Sequence, residues 1–439
     1  MGFSVIFYKL KGKHKFTHSN VYKDIMIKHC AIDIAPDCNY DLVIENLLNG
    51  SLLQNFINLS ALEGALYSQL TINKMIKEEL LHDKVEIITA NNNGLKFMSS
   101  GEQKKSLLQY IFNKNPDFIV ADNIFDNLDI EARKNILSSL QQIAAHTLII
   151  QIINRKKDIL PFIKNVVCIK NNTVFKEESL ENYLKEKNVG DENHFPKTIP
   201  PALHIYTLPA GPLVQMNDVS VSYDGRQILD KINWTINPGE FWQLTGPNGS
   251  GKSTILSLIT GDNPKGYRQN FFLFGKRKGS GETVWDIKQN IGYLTPGMTQ
   301  FFPRLDSIEK MILSGFFDSV GLYCMPNETQ IKTAQHWLQI TGLYEERNKP
   351  FCFLSLGHQR MVLVARAMVK HPPLLILDEP TSGLDDAGVS IFTALINKIA
   401  AESSTAILYV SHRAEEEIKP QNVFELLPGS NGSEGRRRE

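Results

Sequence analysis

Nine consecutive residues, Gly246-Pro247-Asn248-Gly249-Ser250-Gly251-Lys252-Ser253-Thr254, restrict the fold more than any other stretch of this 439-residue chain. They fit the pattern G-x-x-x-x-G-K-[ST]. The run Glu240–Thr245 ahead of them reads as a strand, and Lys252–Leu258 behind them reads as the start of a helix. A glycine-rich bend between strand and helix turns successive N–H groups toward an anion. The helix N-terminus adds its partial positive charge. In such a loop Lys252 reaches β- and γ-phosphates, Thr254 supports the α/β region, and the Ser253 hydroxyl is a ligand for Mg²⁺. The expected ligand is therefore a nucleoside triphosphate with Mg²⁺.

The neighbouring segments agree with an α/β core. Val219–Tyr223 has strand character, Leu374–Leu377 and Ala406–Val410 are short apolar runs of the kind buried in parallel sheets, and Gln330–Thr341 and Gln359–Val369 read as helices. The strand Leu374–Leu377 ends in two carboxylates, Asp378 and Glu379. Asp378 suits a Mg²⁺ ligand acting through water, and Glu379 is placed to orient or deprotonate an attacking water.

The chain also repeats itself. Ser99-Ser100-Gly101-Glu102-Gln103-Lys104, Pro116–Asp122 and Asn127-Leu128-Asp129 recur as Ser355-Leu356-Gly357-His358-Gln359-Arg360, Pro372–Asp378 and Gly383-Leu384-Asp385. The offset is constant at 256 (355 − 99, 378 − 122, 385 − 129). The expected organisation is a domain at 1–184, a proline-rich linker at 185–212, a second domain at 213–427, and a disordered Gly/Ser/Arg tail at 428–439.

The ordered set of phosphate loop, Ser355–Gln359, Leu377-Asp378-Glu379, Ser382–Asp385 and Val410-Ser411-His412 resembles the nucleotide-binding domain of ATP-binding cassette (ABC) proteins over about Leu213–Leu427. Two P-loop NTPase domains of ABC type in tandem, the first incomplete and degenerate, are thus the expected fold. The resemblance implies that Tyr223 stacks on adenine, that His412 contacts the γ-phosphate, and that Asp385 communicates across a dimer. It further implies head-to-tail pairing of cassettes, so that each ATP lies between one phosphate loop and the opposite signature. Gly281–Ile287 and Ile312–Ser319 resemble a bacterial branch with two cassettes in one chain, associated with molybdate uptake, which implies a membrane permease as partner. Two features depart from the pattern. Thr295-Pro296 follows Ile291–Leu294 where cassettes usually carry a glutamine that couples to a transmembrane partner, and Gln300 stands too far on to replace it. The second signature has Leu356 and His358 where a glycine and a glutamine are usual, and a bulky Leu356 would crowd a facing phosphate.

The first half carries no G-x-x-x-x-G-K-[ST] pattern, and Gly12-Lys13 lacks its frame. Transferring the spacing between Lys252 and Ser355 puts a first phosphate loop ahead of the chain's first residue. Asn123 replaces the catalytic glutamate and Asn154 the switch histidine. The signature of this half, in contrast, is small and open: Ser99, Ser100 and Gly101, with Glu102, begin a helix whose N–H groups can meet a γ-phosphate. The expectation is one active composite site, combining Lys252, Asp378, Glu379 and His412 with Ser99–Glu102, and one dead site per chain.

Formal net charge is zero, so no nucleic-acid partner is expected. Five scattered cysteines, Cys30, Cys38, Cys168, Cys324 and Cys352, read as reduced thiols of a cytosolic protein. No apolar run reaches membrane-spanning length, which leaves a cytoplasmic protein, peripheral to the inner face of the plasma membrane if a permease recruits it. Three functions follow: an ATPase energising molybdate-type transport, a soluble ABC ATPase with a regulatory role and no permease, or a nucleotide-gated binding module with negligible turnover, against which Glu379 argues.

Overall fold

The computed structural model describes residues 7–8, 29–35, 37–59, 62–82, 94–126, 128–185, 195, 197–302, 305–412, 415 and 417–438. Gly12, Lys13 and Asn127 lie outside them. The chain divides into two compact units, Met1–Val189 and Gly190–Glu439.

The first unit is built on β1 (Phe7–Tyr8), β2 (Cys30–Ile34), β3 (Gly64–Tyr67), β4 (Phe118–Asp122), β5 (Leu148–Ile153), β6 (Asn165–Lys170) and β7 (Thr173–Ser179). The second contains β8 (Val214–Tyr223), β9 (Arg226–Ile236), β10 (Phe241–Thr245), β11 (Asn270–Leu273), β12 (Lys276–Arg277), β13 (Ile291–Leu294), β14 (Leu374–Asp378), β15 (Ala406–Val410), β16 (Asn422–Gly429) and β17 (Gly432–Arg438). The sheet orders are β1-β3-β4-β5-β2-β6-β7 and β12-β11-β8-β9-β17-β16-β10-β15-β14-β13. Read from one edge, β3-β4-β5-β2-β6-β7 repeats as β13-β14-β15-β10-β16-β17. The ends of β4 and β14 stand 256 positions apart (374 − 118, 378 − 122), the same offset as the sequence repeat.

The shared strands are parallel apart from the final hairpins. Parallel strands covered on both faces must be apolar throughout, and all six residues of β5 and all five of β15 are buried. Each sheet accordingly separates two cores. In the second unit, Trp337, Phe351 and Phe392 pack on one side, while Trp234, Trp242, Phe271 and Phe424 pack on the other.

The tail is a correction. Of the stretch 428–439, expected to be disordered, Pro428–Gly429 end β16 and Gly432–Arg438 form the return strand β17, paired antiparallel from Val423↔Arg438 to Gly429↔Gly432. The second unit thus extends past residue 427. Local composition is poor for a strand, but tertiary contacts outweigh it. Gly435 leaves room for the Phe424 ring, which a Cβ would meet at 2.3 Å, and Phe424 stacks on Trp234 with centroids 4.3 Å apart. The Arg437 guanidinium lies over Trp242 at 5.4 Å. The proposed linker also differs in part. Residues 197–212 carry no helix or strand, as their prolines require, yet they strap onto the second unit. Ile199 N–H donates to Glu402 at 3.0 Å, Thr198 O meets His336 Nε2 at 2.9 Å, and the Tyr206 hydroxyl donates to the carbonyls of Gln289 and Lys370. None of the five cysteines is joined in a disulfide, and no helix among the described residues is long and apolar enough to cross a membrane.

Candidate active site

The phosphate-loop candidate leaves the C-terminal end of β10 and enters the helix Lys252–Ile259. Its glycines are conformationally required. Gly246 and Gly251 have φ of 148° and 95°. A Cβ on Gly246 would stand 2.7 Å from Ser250 Oγ, and one on Gly251 would stand 2.6 Å from Leu229 Cδ2. The N-cap, Gly251, offers no side-chain acceptor to the first turn, which leaves that turn's N–H groups suited to an anion. Lys252 Nζ folds into the loop, donating to the carbonyls of Gly246 (2.7 Å) and Pro247 (3.0 Å). Ser250 Oγ is 1 % exposed and has no hydrogen-bond partner. Buried polar atoms are normally satisfied, so this hydroxyl marks a place where a polar group such as a phosphate fits. Pro247, Asn248, Gly249 and Ser253 are all at the surface of the loop.

Asp378 and Glu379 close β14 beside it. Burial, then the Glu379 charge, raises the Asp378 carboxyl to about 6, with Lys252 opposing the shift. Glu379 adopts φ 45°, a left-handed conformation costly for a non-glycine residue, and its N–H donates to Val410 O at 2.8 Å. The turn aims its carboxylate at His412: Oε1 lies 2.8 Å from Nδ1 and accepts the His412 backbone N–H at 3.0 Å. His412 Nε2 is buried without a partner. Ser253 and Asp378 offer hard oxygen donors, the set that suits Mg²⁺ retained with waters and phosphate oxygens. Tyr223, 41 % exposed, ends β8 before the tight turn Asp224-Gly225.

Strand register corrects the sequence reading of the first unit. Ile32 and Asp122 both pair with Ile152, as Leu244 and Asp378 both pair with Val410. β2 is therefore the counterpart of β10 at an offset of 212 (244 − 32). The same offset carries the N-cap Asn39 onto Gly251 and the first helical residue Tyr40 onto Lys252. A first phosphate-loop position exists within the chain at Ile34–Leu42, at shorter spacing, and contains neither glycine nor lysine. The missing pattern concealed it. Tyr40, in the lysine's place, donates its hydroxyl to Asp122, the counterpart of Asp378. Asn123 keeps the backbone of Glu379 (φ 46° against 45°) without its carboxylate. The same register aligns Asn154 with His412, as the sequence suggested.

Burial raises the Asp122 carboxyl to about 6 despite the Tyr40 hydrogen bond. Since this lies above the ordinary value of 3.8, the folded unit takes up a proton as pH falls through about 6 toward 4 and gains stability there. Tyr40→Phe is expected to cost about 1–3 kcal/mol at pH 7, where the carboxylate is charged and loses its donor. The loss should shrink toward pH 5. Amide exchange of β2 and β4 in the full chain measures it, and unchanged exchange at pH 7 would show the contact to be idle.

The first-unit signature forms a capping box. Ser99 Oγ accepts Glu102 N–H at 3.4 Å, and Glu102 Oε2 accepts Ser99 N–H and Oγ–H at 2.8 and 2.7 Å. These bonds hold the Glu102 carboxyl below its ordinary value. In the second unit Ser355 caps the His358 N–H at 3.4 Å, and Leu356 is partly exposed at the helix start.

Residues 229–382 match the family model described as ABC transporter. The chain is 39 % identical to the ABC transporter ATP-binding protein ModF of Escherichia coli over 73 % of this chain and 68 % of that protein. It is 30 % identical to an uncharacterized ABC transporter ATP-binding protein of Schizosaccharomyces pombe, over 73 % of this chain and 66 % of the relative. Among solved structures, the archaeal ribosome recycling factor aABCE1, in complex with the stalk protein aP1, shares the fold at a TM-score of 0.58 and 14 % identity, covering 93 % of this chain and 85 % of that one. With a glycine-bounded phosphate loop beside a strand ending in Asp378-Glu379, and relatives of this kind along most of its length, the chain belongs to the ABC transporter ATP-binding proteins and is an ABC-type ATPase.

Proposed function

We propose that the chain hydrolyses ATP at one composite site, assembled when its two units pair head to tail. Lys252 and the loop Gly246–Thr254 hold the β- and γ-phosphates, and Tyr223 stacks on adenine. Ser253 and Asp378 hold Mg²⁺, which when bound neutralises charge on the phosphate oxygens. Glu379 takes the proton of the attacking water, and His412 presents Nε2 to the γ-phosphate while Nδ1 rests on Glu379. Ser99, Ser100, Gly101 and Glu102 complete the site from the first unit, with the Ser99 hydroxyl exchanging Glu102 for the γ-phosphate. The opposite site, pairing the Tyr40 loop with the Leu356 signature, does no chemistry.

The observation that carries this reading is the complementarity of losses. The first unit has Tyr40 for Lys252 and Asn123 for Glu379, and the second has Leu356 for Ser100. Gly101→Asp is the test. An added Cβ there would meet only Ala132 Cβ at 3.5 Å and Leu128 Cδ2 at 3.7 Å, ordinary contacts, so the substitution suits the first unit's fold. A carboxylate facing the γ-phosphate should lower kcat/KM by roughly tenfold or more. Unchanged hydrolysis would refute composite pairing.

The work done by hydrolysis is proposed to be molybdate-type transport through a membrane permease, with the chain at the cytoplasmic face. The second reading, a soluble regulatory ATPase, is favoured by Thr295-Pro296 in the glutamine's place. There Arg360 Nη1 donates to both of their carbonyls at 3.1 Å, pinning the segment to the Leu356–Met368 helix. Co-purification from membranes separates the two: a permease supports transport, and its absence supports the regulator.

A further inference from the structure

Tyr223 is fastened to the phosphate-loop helix by a buried asparagine. Asn263 follows the helix Lys252–Ile259 and is only 4 % exposed. Its Oδ1 accepts the Lys265 N–H at 3.0 Å, and since a backbone N–H can only donate, this fixes which end of the amide is oxygen. Nδ2 therefore donates, to the Tyr223 hydroxyl oxygen at 2.7 Å and to Ser257 Oγ at 3.0 Å. The Asn263 backbone N–H also donates to Ser257 O at 2.9 Å. Ser257 in turn donates its hydroxyl to Thr254 O at 2.8 Å. A continuous chain of hydrogen bonds thus runs from the aromatic ring at the end of β8 to the last residue of the phosphate loop. Lys265 Nζ stands 6.0 Å from the Tyr223 ring centroid, and the ring retains a large exposed area.

We infer that Asn263 is a positioning residue for nucleotide selection: it holds the Tyr223 ring at a set orientation and offset from Lys252–Thr254, so that base and triphosphate are read together. This rests on the reading of Tyr223 as the adenine platform. A stacking ring free to rotate must be ordered at each binding event, and a ring tied at its hydroxyl is ordered beforehand. The tie acts on binding of the base and leaves the proton transfer at Glu379 untouched.

The test uses the full chain. Asn263→Ala is expected to raise KM for ATP about three- to tenfold, the worth of one hydrogen bond, with kcat unchanged. Inhibition by inorganic tripolyphosphate, which has no base, should keep its Ki. Tyr223→Phe, which keeps the ring and loses the tie, should reproduce the KM rise, and the double variant should be no worse than either single one. An unchanged KM in Asn263→Ala, or a weaker tripolyphosphate Ki, overturns the inference, the latter because it places the defect in the phosphate loop itself. Tyr223→Ala separates the two layers. If it raises KM where Asn263→Ala does not, the platform stands and the positioning role falls; if it leaves KM unchanged, the platform reading falls and the inference with it.

Discussion

Glu379→Gln is expected to lower kcat for ATP hydrolysis by about 10²- to 10⁴-fold, the usual contribution of a positioned general base, with ATP binding retained. An amide of nearly the same shape can still accept the His412 backbone N–H that now reaches Glu379 Oε1 at 3.0 Å, so the turn at φ 45° should persist. What disappears is the capacity to take a proton at neutral pH. Phosphate release at saturating ATP, alongside equilibrium binding of ATP, reads both halves of the prediction. The variant should accumulate bound ATP. Turnover within threefold of the parent would remove Glu379 from the mechanism.

Lys252→Ala should weaken ATP binding by about 10²- to 10³-fold, in line with the 2–5 kcal/mol lost when one member of a buried charge pair is truncated. The ammonium's hydrogen bonds to Gly246 O and Pro247 O are contacts of a loop at the surface, and its removal leaves the helix Lys252–Ile259 with its apolar face buried. The thermal midpoint should therefore change little while affinity collapses, which separates a binding defect from a folding defect. Calorimetric titration with ATP and Mg²⁺ decides it, and parental affinity would sink the assignment. The first unit supplies an internal contrast. Tyr40 at the lysine's position carries no charge and is already engaged with Asp122.

Much of the second unit was legible because its chemistry needs particular residues in an unbroken run. A loop that wraps phosphates needs glycine at φ 148° and 95° and a lysine at the helix start, and few other sequences satisfy that. Buried parallel strands such as β14 and β15 announced themselves by being apolar throughout. The constant offset of 256 alone marks β4 as the counterpart of β14. Other features left no local trace. Tyr40 stands in a stretch without glycine, so only the pairing of β2 with β5 identifies it as the lysine's counterpart. Asn263 and Ser257 are ordinary polar residues until the Asn263 amide is seen to bond both Tyr223 and Ser257.

Order along the chain was enough to specify the duplication, the phosphate loop and the paired carboxylates, since each depends on residues adjacent in sequence or on a constant offset. Tertiary structure alone decided that Gly432–Arg438 is a strand, that residues 197–212 strap onto the second unit, and that Tyr40 stands at the lysine's position with its hydroxyl on Asp122. The reason is physical. Those outcomes rest on partners distant in sequence, such as Trp242 under Arg437, Glu402 on Ile199 and Asp122 on Tyr40, and local propensity carries no information about a partner that folding has yet to bring near.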